Sequence, residues 1–188
     1  MRYACRALRG LPVLGDAFGS EGLISVSLEH MAIASPFEGL QLSQELVCEF
    51  FAVFSRFEFA LKDSGFIRAH KGHAEPAWRD FSASIAATFS VTARSPLDSA
   101  IAFLLGEPPM VQVSRCDWEH KRLHGNTDTE RALDAVIRVR NNLFHGGKYT
   151  PHSPPGRDEA LVRASLAVLY ACLEQDESLR NTYEQNFF

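Results

Sequence analysis

The chain has 188 residues and a mass of 20.9 kDa, with 46% hydrophobic and 22% charged residues. That balance excludes a collagen-like, low-complexity or wholly disordered chain and suits one domain with a core of its own. A net charge of −4 and a pI near 6.0 exclude nucleic-acid binding by bulk positive charge, but not a small basic site.

Residues 1–38 carry no sustained helical stripe, and glycines recur at Gly10, Gly15, Gly19 and Gly22. They are expected to form a loosely ordered extension ahead of a helical domain over 39–188, with a short strand at Leu23 to Leu28 as the alternative. Arg2, Arg6 and Arg9 precede no apolar stretch long enough for a signal peptide.

Periodicity then turns helical. Leu42, Leu46, Phe50, Val53, Phe57 and Leu61 fall at three- and four-residue spacing and define one helix face, ended by Gly65. Phe51, Phe54 and Phe59 add apolar surface on other sides, which implies a central bundle position or a second interface with a partner chain. Trp78, Phe81, Ile85 and Phe89 predict a second helix. Ser95-Pro96 reads as an N-cap followed by proline at the first helical position, with Leu97, Ile101 and Leu104 as the buried face. Residues 110–125 read as an extended piece and a short helix around Trp118. Thr127 and Glu130 have capping-box spacing ahead of a helix through Leu133, Val136, Ile137, Leu143 and Phe144, stopped by Gly146-Gly147. Leu161, Ser165, Val168 and Cys172 predict a last long helix, extended by Leu179, Tyr183 and Phe187. With alternating strand patterns scarce, the expected fold is an all-α up-and-down bundle.

The longest apolar run, Leu166 to Leu173, falls far short of the ~20 residues that span a bilayer. Cys5, Cys48, Cys116 and Cys172 are widely spaced, as expected of reduced thiols in a cytoplasmic protein. Cys48 and Cys172 lie in apolar stretches and are expected to be buried.

The segment that carries chemistry is Arg138-Val-Arg-Asn-Asn-Leu-Phe-His-Gly-Gly-Lys148. Asn141 and His145 share a helix face at i, i+4, so the amide is placed to orient the imidazole or to hold a ligand. Arg140 and His145 are five apart, roughly 140° around a helix of 3.6 residues per turn. They converge only if the helix end distorts or a second copy of the segment completes the site. Histidine, with an ordinary pKa of ~6.5, suits proton transfer near neutrality, and arginine grips phosphate bidentately. The pair suits metal-independent cleavage of an RNA phosphodiester, with structural capping of the helix end as the competing role. Arg138 and Lys148 flank the motif as candidate phosphate contacts. Of the 19 basic residues 15 are arginine, the better phosphate ligand.

Arg140-Asn141-x-x-x-His145 at a helix end resembles the signature of the HEPN superfamily. The opening helix, through Phe54-Ser55-Arg56-Phe57-Glu58-Phe59-Ala60-Leu61-Lys62, resembles a branch typified by uncharacterised plasmid-encoded members. The likeness covers roughly residues 40 to 175. It implies a compact helical bundle that dimerises, with the two motifs meeting in a composite site. It also implies a metal-independent endoribonuclease of toxin–antitoxin or other defence systems, acting on RNA rather than DNA, with a cognate antitoxin protein as partner. Arg140 and His145 match the catalytic pair and Asn141 the polar residue after the arginine. A toxin branch regulated by tyrosine nucleotidylation has tyrosine two residues after the histidine, where this chain has Gly147. Some members are inactive nucleotide-binding or protein-interaction modules, which is the alternative reading.

Arg56 and Glu58 are polar residues in a phenylalanine-rich helix and are candidates to support the site. His120 and His124 have i, i+4 spacing, but no third metal ligand accompanies them, and no cofactor is expected. His70 and His73 flank Lys71-Gly72 in a polar loop.

Overall fold

The computed structural model describes residue 35 and residues 37–114, 117–145 and 153–185. All but the first lie in one compact unit, Phe37–Phe188. Most of the expected N-terminal extension, the strand at Leu23 to Leu28, Cys5, Cys116, the Gly146-Gly147 stop, Lys148 and Phe187 fall outside the described residues. Helix makes up 59% of what is described, in six helices with two small hairpins, so the fold is mostly helical rather than purely all-α.

α1 spans Gln44–Asp63 and is capped by Ser43, whose hydroxyl accepts from the Leu46 N–H at 3.2 Å. It buries Leu46, Phe50, Val53, Phe54, Phe57, Ala60 and Leu61 and stops where Gly65 adopts a φ of +92°. The first hairpin follows, pairing β1 (Ile67–His70) with β2 (His73–Pro76) in antiparallel register. Its turn residues Lys71 and Gly72 both have positive φ, 49° and 81°, the geometry that matches the twist of paired strands. All of β1 is exposed, so no in–out alternation marks it in sequence.

α2 (Trp78–Ile85) ends one turn before Phe89, which was expected to continue it. α3 (Pro96–Gly106) starts as predicted, with the Ser95 hydroxyl accepting from the Asp98 N–H. The expected helix around Trp118 is instead strand β4 (Trp118–Glu119), paired with β3 (Val111–Gln112). α4 spans Asp128–Phe144 behind the predicted capping box. Thr127 Oγ1 accepts from the Glu130 N–H, and Glu130 Oε2 accepts from the Thr127 N–H at 2.9 Å. The backbone N–H groups of Thr127 and Asn126 hold the Glu130 carboxyl below the usual carboxylate range.

α5 (Arg157–Gln175) is the central helix, packed on α1, α3 and α4, and on α6 (Glu177–Glu184). The tail does not extend α5. Asp176 breaks out of helical geometry at φ −119° and ψ 97°, and its carboxylate caps α6 by accepting from the Leu179 N–H. Cys172 is buried as expected, and burial pushes its thiol up. Cys48 is exposed, against expectation, because it lies off the buried stripe of α1. Among the described residues no helix is long and apolar enough to cross a membrane.

Of the apolar residues off the main stripe of α1, Phe54 is buried against Trp78 of α2, but Phe51 is 54% exposed and Phe59 44%.

Candidate active site

The last turn of α4 carries Arg140, Asn141 and Phe144, with His145 as its C-cap. The helical pattern runs through this end, since the His145 N–H donates to the Asn141 carbonyl at 2.9 Å. With the helix regular, Arg140 and His145 of one chain leave it roughly 140° apart. The distortion that would bring them together within one chain is therefore absent from the described residues.

Arg140 is held on several sides. Its guanidinium carbon lies 5.3 Å from the ring centroid of Phe54 and 5.2 Å from that of Phe144. Both are cation–π distances. One terminal nitrogen is 3.7 Å from Glu58 Oε2, and the other donates to Asn141 Oδ1 at 3.1 Å. Asn141 thus orients the arginine rather than the imidazole. Arg140 Nε is buried without a hydrogen-bond partner among the described residues.

Glu58 is fixed in turn by Trp78, whose indole N–H donates to Oε1 at 3.1 Å. Trp78 lies flat on Phe57, 5.3 Å between centroids and 2° between planes. Phe54 contributes a second ring at 5.3 Å. One chain of contacts thus runs from the aromatic core of α1 and α2 through Trp78 and Glu58 to Arg140. Both members of the Arg140–Glu58 pair are partly exposed, so its Coulomb energy is about 1 kcal/mol or less. Its main consequence is the direction it gives the guanidinium.

His145 is exposed, and its imidazole has no hydrogen-bond or charge partner among the described residues. Beside it, Phe144 stacks on Phe51 with centroids 5.4 Å apart. These two exposed rings, 42% and 54% accessible, form an apolar patch next to the arginine.

Two of the predicted site residues are placed elsewhere. Arg138 is only 9% exposed, with its guanidinium donating to the carbonyls of Lys121 and Arg122 at 2.6 Å each and pairing with Asp134 at 2.8 Å. It ties the 121–122 loop to α4, and its donors are engaged within the fold rather than offered to phosphate. Arg138→Ala is expected to cost roughly 2–4 kcal/mol of stability, read as a fall in the midpoint of urea unfolding, because two carbonyls and Asp134 lose their buried partner. Arg56 donates to the Tyr183 carbonyl and lies over the Tyr183 ring at 5.1 Å, so it ties α1 to α6 and not to the site. Lys148 lies outside the described residues. His120 follows β4 and His124 lies in the next loop, so no helix sets them on one face. Among the described residues no group of three His, Cys, Asp or Glu side chains is arranged to hold a metal ion.

The sequence reading missed Phe54, Phe144 and Trp78 as parts of the site, since each counts only as an apolar residue in a helical stripe. No family model matches the chain, and neither a curated protein nor a solved structure matches it.

Proposed function

We propose that the protein is a metal-independent endoribonuclease of the HEPN type, cytoplasmic, with a composite site shared by two copies of the chain. The observation that carries this reading is a directed arginine and an exposed histidine on one helix end, too far apart around the helix to meet within one chain. The exposed Phe51–Phe144 pair beside them supplies apolar surface for the second copy.

In this reading His145 of one protomer takes the proton of a ribose 2′-OH as the oxygen attacks phosphorus. The partner's His145 gives a proton to the departing 5′-oxygen, leaving a 2′,3′-cyclic phosphate and a 5′-hydroxyl. Arg140 faces the phosphate oxygens where negative charge gathers. Asn141 and Glu58 position Arg140. A toxin or defence role, with a cognate antitoxin protein as partner, follows from the HEPN resemblance.

The test is incubation of the purified protein with RNA in excess EDTA. Cleavage that persists and leaves cyclic phosphate ends is the expected result. Intact RNA, or cleavage abolished by the chelator, would overturn the proposal.

A second reading is a non-catalytic nucleotide-binding or interaction module. It is favoured by the internal partners of Arg140, since Glu58 and Asn141 already engage two of its nitrogens. It predicts binding without RNA loss.

A further inference from the structure

A groove of about 310 Å³ opens between α2 and the first half of α4, walled by the loop at residues 124–126. Trp78, Leu133 and Ile137 give it an apolar floor. Its outer wall is held in place through the backbone. The His124 N–H donates to Asp134 Oδ2 at 3.1 Å, and the Asn126 N–H to Glu130 Oε2 at 2.8 Å. Gly125 between them has a φ of +130°, and a Cβ there would come within 2.5 Å of the Glu130 side chain. Only glycine lets this loop close so tightly on α4.

The charges lining the groove are unequally committed. Both carboxylates are satisfied inside the fold, Asp134 by Arg138 and the His124 N–H, and Glu130 by its capping box. The side chains of Arg79, His124 and Asn126 are exposed and have no partner among the described residues. What the groove offers is therefore a guanidinium, an imidazole and an amide above an apolar floor. That set fits a phosphate with a flat ring attached, the phosphate on Arg79 and the ring edge on Asn126. The volume is at the lower end of the ~300–1,000 Å³ of small-ligand sites, enough for one nucleotide.

The groove adjoins the Arg140 site. Trp78 lines it and also bonds to Glu58, the ion-pair partner of Arg140. Along α4 its floor at Leu133 and Ile137 lies about 10.5 and 4.5 Å from Arg140 at 1.5 Å per residue. At about 3.4 Å per stacked nucleotide, that is one to three nucleotides along a strand. We infer that the α2–α4 groove is a subsite for an RNA nucleotide flanking the cleaved phosphate, with Arg79 and His124 holding its phosphate. This rests on the ribonuclease reading.

The experiment uses full-length His145→Ala protein as parent, so that RNA survives, and measures binding of a labelled short oligoribonucleotide by fluorescence anisotropy across a salt series. Adding Arg79→Ala is expected to weaken binding about tenfold and to flatten the salt slope by about 0.7, the loss of one phosphate contact on a single strand. Adding His124→Ala is expected to weaken it about threefold. Arg163→Ala removes a cation already paired with Glu159 on α5 and is expected to leave binding unchanged. If the wild type cleaves RNA but Arg79→Ala binds with parental affinity and slope, the groove proposal falls and the Arg140–His145 site stands. If the parent binds no RNA and the wild type cleaves none, both fall.

Discussion

His145→Ala is expected to lower RNA cleavage by about 10²–10⁴-fold while leaving thermal stability within about 0.5 kcal/mol of wild type. The first half follows from the proposed role of the imidazole as proton carrier. The second follows from its surroundings: among the described residues only the backbone N–H of His145 is bonded, and alanine keeps it. Arg140→Ala should behave differently. It removes two cation–π contacts and the ion-pair partner of Glu58, so a stability loss of about 1–2 kcal/mol should accompany the loss of activity. Single-turnover cleavage and thermal melts on the two variants separate the ribonuclease from the non-catalytic module. If both variants only lose stability, with no RNA cleavage in the wild type, Arg140 is a brace between α4 and α1. If His145→Ala cleaves as fast as wild type, the proposed proton transfer is wrong.

Phe51→Glu is expected to convert the proposed dimer to a monomer and to remove cleavage with it. Phe51 is more than half exposed and stacks on Phe144 beside Arg140, so a two-fold interface there would cover the exposed part of both copies of each ring. Full burial of a phenylalanine side chain is worth about 1.5–3 kcal/mol, so covering the exposed half of Phe51 is worth about 0.8–1.6 kcal/mol, and two-fold symmetry doubles it. The dimer dissociation constant should then rise by roughly 10–200-fold, before any cost of burying the new carboxylate. Phe51 is a better target than Phe144, because Phe144 also contacts Arg140 and its loss would disturb the arginine directly. Sedimentation velocity across a concentration series, with cleavage measured on the same samples, makes the comparison. A wild-type protein that cleaves RNA while monomeric would remove the reason for a composite site.

Much of the architecture was legible because helix signals are local. Ser95-Pro96 and the Thr127–Glu130 box mark helix starts by groups within four residues of one another, and the three-to-four spacing of Leu46, Phe50, Val53 and Phe57 marks a buried stripe. The hairpins were not legible for the converse reason. β1 is exposed throughout and β3 and β4 are two residues each, so none buries a face that would impose alternation. Asp176 likewise breaks the last helix in the polar run between Leu173 and Leu179, because its carboxylate can cap a new one.

By itself the sequence determined that a polar Arg-Asn-x-x-x-His segment ends a helix, since capping and periodicity are properties of that stretch alone. Tertiary structure decided which of its neighbouring arginines face outward chemistry. Arg138 and Arg140 are two residues apart and indistinguishable by type, but they point about 200° apart around α4. One meets the carbonyls of the 121–122 loop and is buried; the other meets Phe54 and Glu58 of α1 and keeps part of its guanidinium in solvent. That difference depends on what packs against each side of the helix, and those residues lie 16 to 17 positions away from one arginine and more than 80 from the other.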